Sequence, residues 1–251
     1  MIKIYSRKLF QKLPDCILFD IDNTFYAYEP AHNEAIKVLK SNISDTLNVK
    51  IKDVDINFQK ARDDIKKQLK NTASSHSRIL YIQRMLENFG LGSQILLSLN
   101  LEQIYWSTFL SHAQLFENLE DFLEEVRLLK IPMAIVTDLS AQIQFRKMVY
   151  FDLDHYFDYI ITSEEVGFDK PNEAPFLFAL KKMQFKKTNN IWFIGDDPIK
   201  DIEGAKKTLR ATTLQKNHSG IHLAKGKYQA DLQFSHYKEL INLLKKIKNY
   251  N

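Results

Sequence analysis

Short apolar runs without alternation recur along the chain: Cys16-Ile17-Leu18-Phe19, Met133-Ala134-Ile135-Val136, Tyr159-Ile160-Ile161 and Ile191-Trp192-Phe193-Ile194. Fainter runs lie at Ala211 to Leu214 and Ala230 to Phe234. Strands buried on both faces of a parallel sheet read this way. Between them, apolar residues recur at helical spacing over Leu119 to Lys130, Ala141 to Val149, Ala174 to Met183, Ile199 to Thr208 and Tyr237 to Lys248. Strand and helix in alternation predict βαβ units with right-handed crossovers, hence an α/β fold with a Rossmann-like doubly wound parallel sheet.

Residues 26–117 break that alternation. They read as helices over Ala31 to Leu47, Val54 to Lys70, Arg78 to Phe89 and Leu101 to Phe116, with Gly90 and Gly92 marking the end of the third. An insertion this long between the first two strands far exceeds an ordinary crossover. An all-helical subdomain at 26–117 is therefore expected within a core made of 1–25 and 118–251.

Composition narrows the class. With 251 residues, 45% hydrophobic and 26% charged, the chain can build a core without staples, and disorder is excluded. The single cysteine, Cys16, rules out a disulfide framework or a Cys-rich zinc site and fits a reducing, cytoplasmic setting. The N-terminal residues have no secretory pattern, and no apolar run reaches the roughly 20 residues of a membrane span. From Ala205 onward ten Lys or Arg face only Asp231 and Glu239, a net of +8 that leaves −4 for residues 1–204. Aromatics do not interleave with those cations as a nucleic-acid stacking platform requires, so a solvated helix face is expected and no nucleic-acid partner.

Ligands of open parallel sheets bind at the carboxyl ends of the strands. The first run ends in Asp20-Ile21-Asp22-Asn23-Thr24, the second in Thr137-Asp138, and the fourth in Gly195-Asp196-Asp197 with Asp201 just beyond. The third is followed by Glu164 to Pro171, which includes Lys170. Carboxylates gathered in one cleft repel unless a cation neutralises them, and oxygen ligands alone select a hard ion such as Mg²⁺. A metal and a fixed lysine together suit a group that gains negative charge as bonds rearrange, as in phosphoryl transfer. A carboxylate screened in this way can attack phosphorus.

These motifs resemble, in order and spacing, those of the haloacid dehalogenase (HAD) superfamily. Asp20-Ile21-Asp22-Asn23-Thr24 is similar to its first motif, Thr137 to the second, Lys170-Pro171 to the third, and Gly195-Asp196 with Asp201 to the fourth. The resemblance implies that Asp20 is a nucleophile and that Asp22 acts as general acid and then base, with its main-chain carbonyl on the metal. Asp196 would be the second carboxylate ligand, supported by Asp197 and Asp201. Thr137 and Lys170 would hold phosphoryl oxygens, and Thr24 would orient Asp22. The helical insertion matches a C1-type cap. Dehalogenases of the superfamily lack the second aspartate of the first motif, so Asp22 implies a phosphatase acting on a small phosphorylated metabolite of the nucleoside monophosphate, sugar phosphate or acylneuraminate phosphate type. The alternatives are a phosphosugar mutase on the same scaffold and a phospho-acceptor or binding module without turnover.

Asp138 departs from the family, which has Asn there. A carboxylate facing phosphate must be paired, and Arg146 or an arginine of the insertion is the expected partner. Within the insertion, Ser75-His76-Ser77-Arg78 and the following Tyr81 offer donors: His76, Arg78 and Tyr81 are candidate substrate contacts, and capped helix with exposed cations is the alternative. Oligomeric state is left open.

Overall fold

In the computed structural model, which describes residues 2–250, the strands are β1 (Lys3–Ile4), β2 (Cys16–Phe19), β3 (Met133–Thr137), β4 (Tyr159–Thr162), β5 (Ile191–Gly195), β6 (Thr212–Lys216) and β7 (Leu232–Phe234). They form one sheet in the order β1-β7-β6-β5-β2-β3-β4. All pairings are parallel except the short edge pair of β1 with β7. Every residue of β2, β3 and β5 is buried, which is why their apolar runs show no period of two.

The first strand of the parallel set, β2, pairs with β3 on one side and with β5 on the other. The order of strands reverses here, with β3 and β4 laid down on one side and β5, β6 and β7 on the other, so the loops diverge and leave a crevice at the carboxyl ends. Asp20, Thr137 and Asp196 all stand there.

The helices are α1 (Tyr28–Leu47), α2 (Ile51–Leu69), α3 (Arg78–Asn88), α4 (Ile95–His112), α5 (Leu119–Leu128), α6 (Ala141–Tyr150), α7 (Ser163–Val166), α8 (Glu173–Met183), α9 (Gly204–Leu209) and α10 (Tyr237–Tyr250). Two compact units result, Met1–Ala27 with Gln114–Asn251, and Tyr28–Ala113. The helical unit is narrower than the 26–117 read from sequence. Tyr26 bridges Leu115 in antiparallel fashion and the Phe116 N–H donates to Phe25 O at 2.8 Å, which ties both flanks to the sheet unit. No helix among the described residues is long and apolar enough to cross a membrane.

Among the elements that differ from the sequence reading are α4, β6 and the helix expected from Ile199. Helix α4 begins at Ile95, six residues before Leu101, because Ile95, Leu96 and Leu99 are exposed and blur any one-sided pattern. Strand β6 continues to Lys216, carrying polar side chains that are nevertheless buried. Its ammonium donates to Ser235 O at 2.8 Å and lies 3.8 Å from the centre of the Phe116 ring. The single helix expected from Ile199 is a π-helical turn, Pro198–Glu203, followed by α9.

That turn explains two glycines. A Cβ on Gly195 would lie 2.5 Å from Asp201 Oδ2 and 2.6 Å from its Cβ, and one on Gly204 would lie 2.7 Å from Cζ of the buried Phe176. Gly195→Ala should destabilise the sheet unit by about 1–3 kcal/mol through overpacking, read as a lower urea midpoint. Gly204→Ala should lose less, because alanine recovers about 1 kcal/mol of helix propensity. An unchanged midpoint in Gly195→Ala would show that Asp201 does not fill that space.

Candidate active site

The carboxylates of Asp20, Asp196 and Asp201 offer oxygens within 4.8 Å of one another, and all three residues are buried. Lys170, also buried, donates to Asp20 Oδ1 at 2.7 Å and to Asp201 Oδ1 at 2.6 Å. The other oxygen of Asp201 accepts the backbone N–H groups of Asp196 and Asp197 at 3.1 and 3.0 Å. Asp201 is thus spent on holding the loop and the lysine. Among the described residues no hydrogen-bond donor reaches the Asp196 carboxylate, which leaves it open to a cation.

The electrostatics demand one. Burial pushes the Asp20 carboxyl up to about 7, with Lys170 opposing the rise and Asp201 and Asp22 adding to it. Burial and the neighbouring Asp201 and Asp20 carry Asp196 well above the ordinary carboxylate range. Asp201 is also raised by burial, although Lys170 opposes it. Lys170 itself stays protonated, since its three aspartate neighbours outweigh the penalty of burial. An all-oxygen donor set with surplus negative charge fits a hard divalent ion.

Asp22 lies in a separate cluster. Burial works against its charge, but the Lys147 ammonium and hydrogen bonds from Lys147, Tyr26 and Gln144 hold the carboxyl below its usual range. Lys147 donates to both oxygens, at 2.7 and 3.0 Å, and the Tyr26 hydroxyl donates to Oδ1. Gln144 reaches Thr137 Oγ1 at 2.7 Å, so Thr137 and Asp22 share a neighbour on α6.

Thr24, read as orienting Asp22, instead directs its hydroxyl toward Asp20 Oδ2 at 3.5 Å, because Asp22 turns away toward α6. Asp138 is paired, but not with Arg146 or an arginine of the insertion. Its Oδ1 accepts the Lys170 N–H at 2.9 Å and its Oδ2 accepts Lys200 Nζ at 2.7 Å. The π-helical turn supplies that lysine, which sequence distance concealed. Asp197 accepts the N–H groups of Ile199 and Lys200, both at 2.8 Å, as an N-cap.

The donors proposed in the insertion serve the helical unit. Arg78 is buried, donates to His76 O at 2.6 Å and to the hydroxyls of Tyr28 and Tyr105, and lies against the rings of Tyr81, Tyr105 and Trp106. Tyr81 donates its hydroxyl to Ser75 O. Arg78 is not the exposed cation of the capped-helix alternative either, and Ser77 caps α3 by accepting the Leu80 N–H. Lys147, Gln144 and Tyr26 were missed in the sequence. The available signal was a lysine and a glutamine at inward positions of the amphipathic α6, whose buried face is Ile143, Gln144, Lys147 and Met148.

The family model for haloacid dehalogenase-like hydrolases matches residues 14–207. A ribulose-1,5-bisphosphate 5-phosphatase of Halopiger xanaduensis is 32% identical over 79% of this chain and 83% of its own length. A glyceraldehyde 3-phosphate phosphatase of Methanocaldococcus jannaschii is 26% identical over 92% of this chain and 97% of its own. Among solved structures, the putative HAD-hydrolase YfnB of Bacillus subtilis, crystallised bound to magnesium, superposes with a TM-score of 0.66 at 21% identity, covering 93% of this chain and all of its own. With the matched region spanning all four strand-end motifs, the chain belongs to the haloacid dehalogenase-like hydrolase family.

Proposed function

We propose that the protein is a Mg²⁺-dependent phosphatase that removes the phosphoryl group from a small sugar phosphate through an aspartyl-phosphate on Asp20. The observation that carries this reading is the buried Lys170 bridge between Asp20 and Asp201 beside the open carboxylate of Asp196. The sugar-phosphate class is supported by the names of the related phosphatases.

Asp20, Asp196 and the main-chain carbonyl of Asp22 would hold Mg²⁺, which neutralises charge when bound. Asp20 attacks phosphorus as the ester P–O bond breaks, and the leaving oxygen takes a proton from Asp22. Water then gives Asp22 a proton and bonds to phosphorus while the Asp20–phosphorus bond breaks, which frees phosphate. Lys170 and the Thr137 hydroxyl hold the equatorial oxygens, where negative charge accumulates. Asp138, fixed by the Lys170 N–H and Lys200, steadies the loop that presents Lys170.

Phosphate release from a panel of sugar phosphates, nucleotides and phosphorylated acids should depend on Mg²⁺, stop with EDTA, and vanish in Asp20→Asn. Release that persists in Asp20→Asn would overturn the covalent route, and isomerised sugar phosphate without free phosphate would indicate a mutase.

Asp138→Asn should lower kcat/KM by about 10-fold, on the scale of a lost charge-assisted hydrogen bond of ~1.5–3 kcal/mol. A rise would mean that the charge only repels phosphate.

Stability of the cation-free protein should fall as pH rises from about 4 toward about 7 on account of Asp20. In that window the folded protein retains a proton that the unfolded chain has already lost, so the slope is negative. Mg²⁺ should therefore raise the thermal midpoint more at pH 7 than at pH 4.5. Equal shifts at both would show that the acidic nest does not bind the ion.

A further inference from the structure

Helix α6 buries a glutamine and a lysine one turn apart, Gln144 and Lys147, both fully inaccessible. Polar groups at inward positions of an amphipathic helix are unfavourable unless each finds a partner. Here the Gln144 NH₂ and the Lys147 ammonium find theirs in the site, while the Gln144 amide oxygen is buried without one. The α6 terminus is itself anchored, since the Ala141 N–H donates to Glu164 Oε2 at 2.8 Å.

The orientation of the Gln144 amide follows from its neighbours. Its nitrogen lies 2.8 Å from Asp138 O and 3.4 Å from Asp22 Oδ2, and both are acceptors only. The group facing them must be the NH₂. At 2.7 Å, Thr137 Oγ1 then receives a hydrogen bond from Gln144 and keeps its own proton to give away. That proton rests on Asp138 O at a long 3.3 Å, a bond readily exchanged for a phosphoryl oxygen.

Lys147 does for Asp22 what Gln144 does for Thr137. It grips both carboxylate oxygens, the Tyr26 hydroxyl takes Oδ1 as well, and a quarter of the Asp22 side chain remains accessible. Tyr26 is itself fixed by the bridge to Leu115. The carboxylate is thereby aimed by three side chains from two segments, without help from Thr24.

Resting on the phosphatase reading above, we propose that Lys147 is the positioning residue for the proton-handling carboxylate, fixing Asp22 where it meets the leaving oxygen, while Gln144 sets the polarity of the Thr137 hydroxyl. The step it serves is the first half-reaction. An Asp20 carboxylate oxygen bonds to phosphorus as the ester P–O bond breaks, the electron pair of that bond stays on the leaving oxygen, and that oxygen takes the Asp22 proton.

The test is the dependence of kcat/KM on the leaving group, because kcat/KM reports the steps up to transfer onto Asp20. A p-nitrophenyl ester leaves without needing a proton, whereas an alkyl ester such as glycerol phosphate needs one. Lys147→Met should reduce kcat/KM about 100-fold or more on glycerol phosphate and less than about 10-fold on p-nitrophenyl phosphate, and Lys147→Arg should recover part of the loss. Tyr26→Phe, which removes a single hydroxyl, should steepen the leaving-group dependence in the same direction, and it carries the test if Lys147→Met does not fold by circular dichroism. Equal losses on both esters in the folded variants would overturn the positioning role while leaving the phosphatase reading intact. Wild-type protein that hydrolyses neither ester, nor any of the sugar phosphates, would remove the phosphatase reading first.

Discussion

Three buried carboxylates held close together cannot all keep their charge unless positive charge is placed among them, and the sheet unit is organised around that constraint. Asp20 and Asp196 arrive at the ends of neighbouring parallel strands, and Asp201 folds back beneath them. Lys170 contributes one positive charge against three negative ones, and its ammonium donates to Asp20 and Asp201. With all three ionised, two negative charges would remain, the charge that a divalent ion carries. Removing Lys170 would take away the cation that pairs with Asp20 and Asp201, a penalty of several kcal/mol of the kind that follows when one partner of a buried pair is deleted.

Local backbone geometry serves the same end. After β5 the chain makes a π-helical turn in which the N–H groups of Asp201 and Ile202 both donate to Asp197 O at 3.1 Å. The wider turn swings the Asp201 carboxylate over Gly195, where only a hydrogen fits, and under the N–H groups that follow. Such turns are less favourable than α-helix and occur often at functional sites. Here the gain is a carboxylate held on both oxygens, which in turn fixes the lysine.

The strand-end chemistry was legible in the sequence because it is local. An apolar run followed by Asp, Thr or Gly-Asp places its last polar residue at the sheet edge whatever the rest of the chain does. Lys147 was not legible because its partner lies 125 positions away, and an inward lysine reads like the stem of a surface one. Lys200 escaped for the same reason, with an arginine on the nearest helix the more obvious partner for Asp138. The β6 extension was hidden because Gln215 and Lys216 are buried by pairing their polar atoms with backbone, which no hydropathy pattern reports. Apolar spacing likewise missed the start of α4, whose first turns leave Ile95 and Leu96 in the open.

Asp20 and Asp22 stand two residues apart, each with its own lysine, yet their environments push them in opposite directions. In the cation-free protein burial and like charges lift Asp20 to about 7, while Lys147 and its companions hold Asp22 down. Taken alone, that order is the reverse of what a nucleophile and an acid require. The inversion is resolved by which of the two faces the nest. In the proposed reaction, charge neutralisation there would act on Asp20 and Asp196 together and return Asp20 to the ionised form a nucleophile needs. Asp22 is turned toward α6 and bonded on both oxygens. In the proposed reaction, the approach of a dianionic phosphoryl group would raise the proton affinity of the carboxyl beside it. In the proposed reaction, the same geometry would tie readiness of the nucleophile to the ion and readiness of the acid to the substrate.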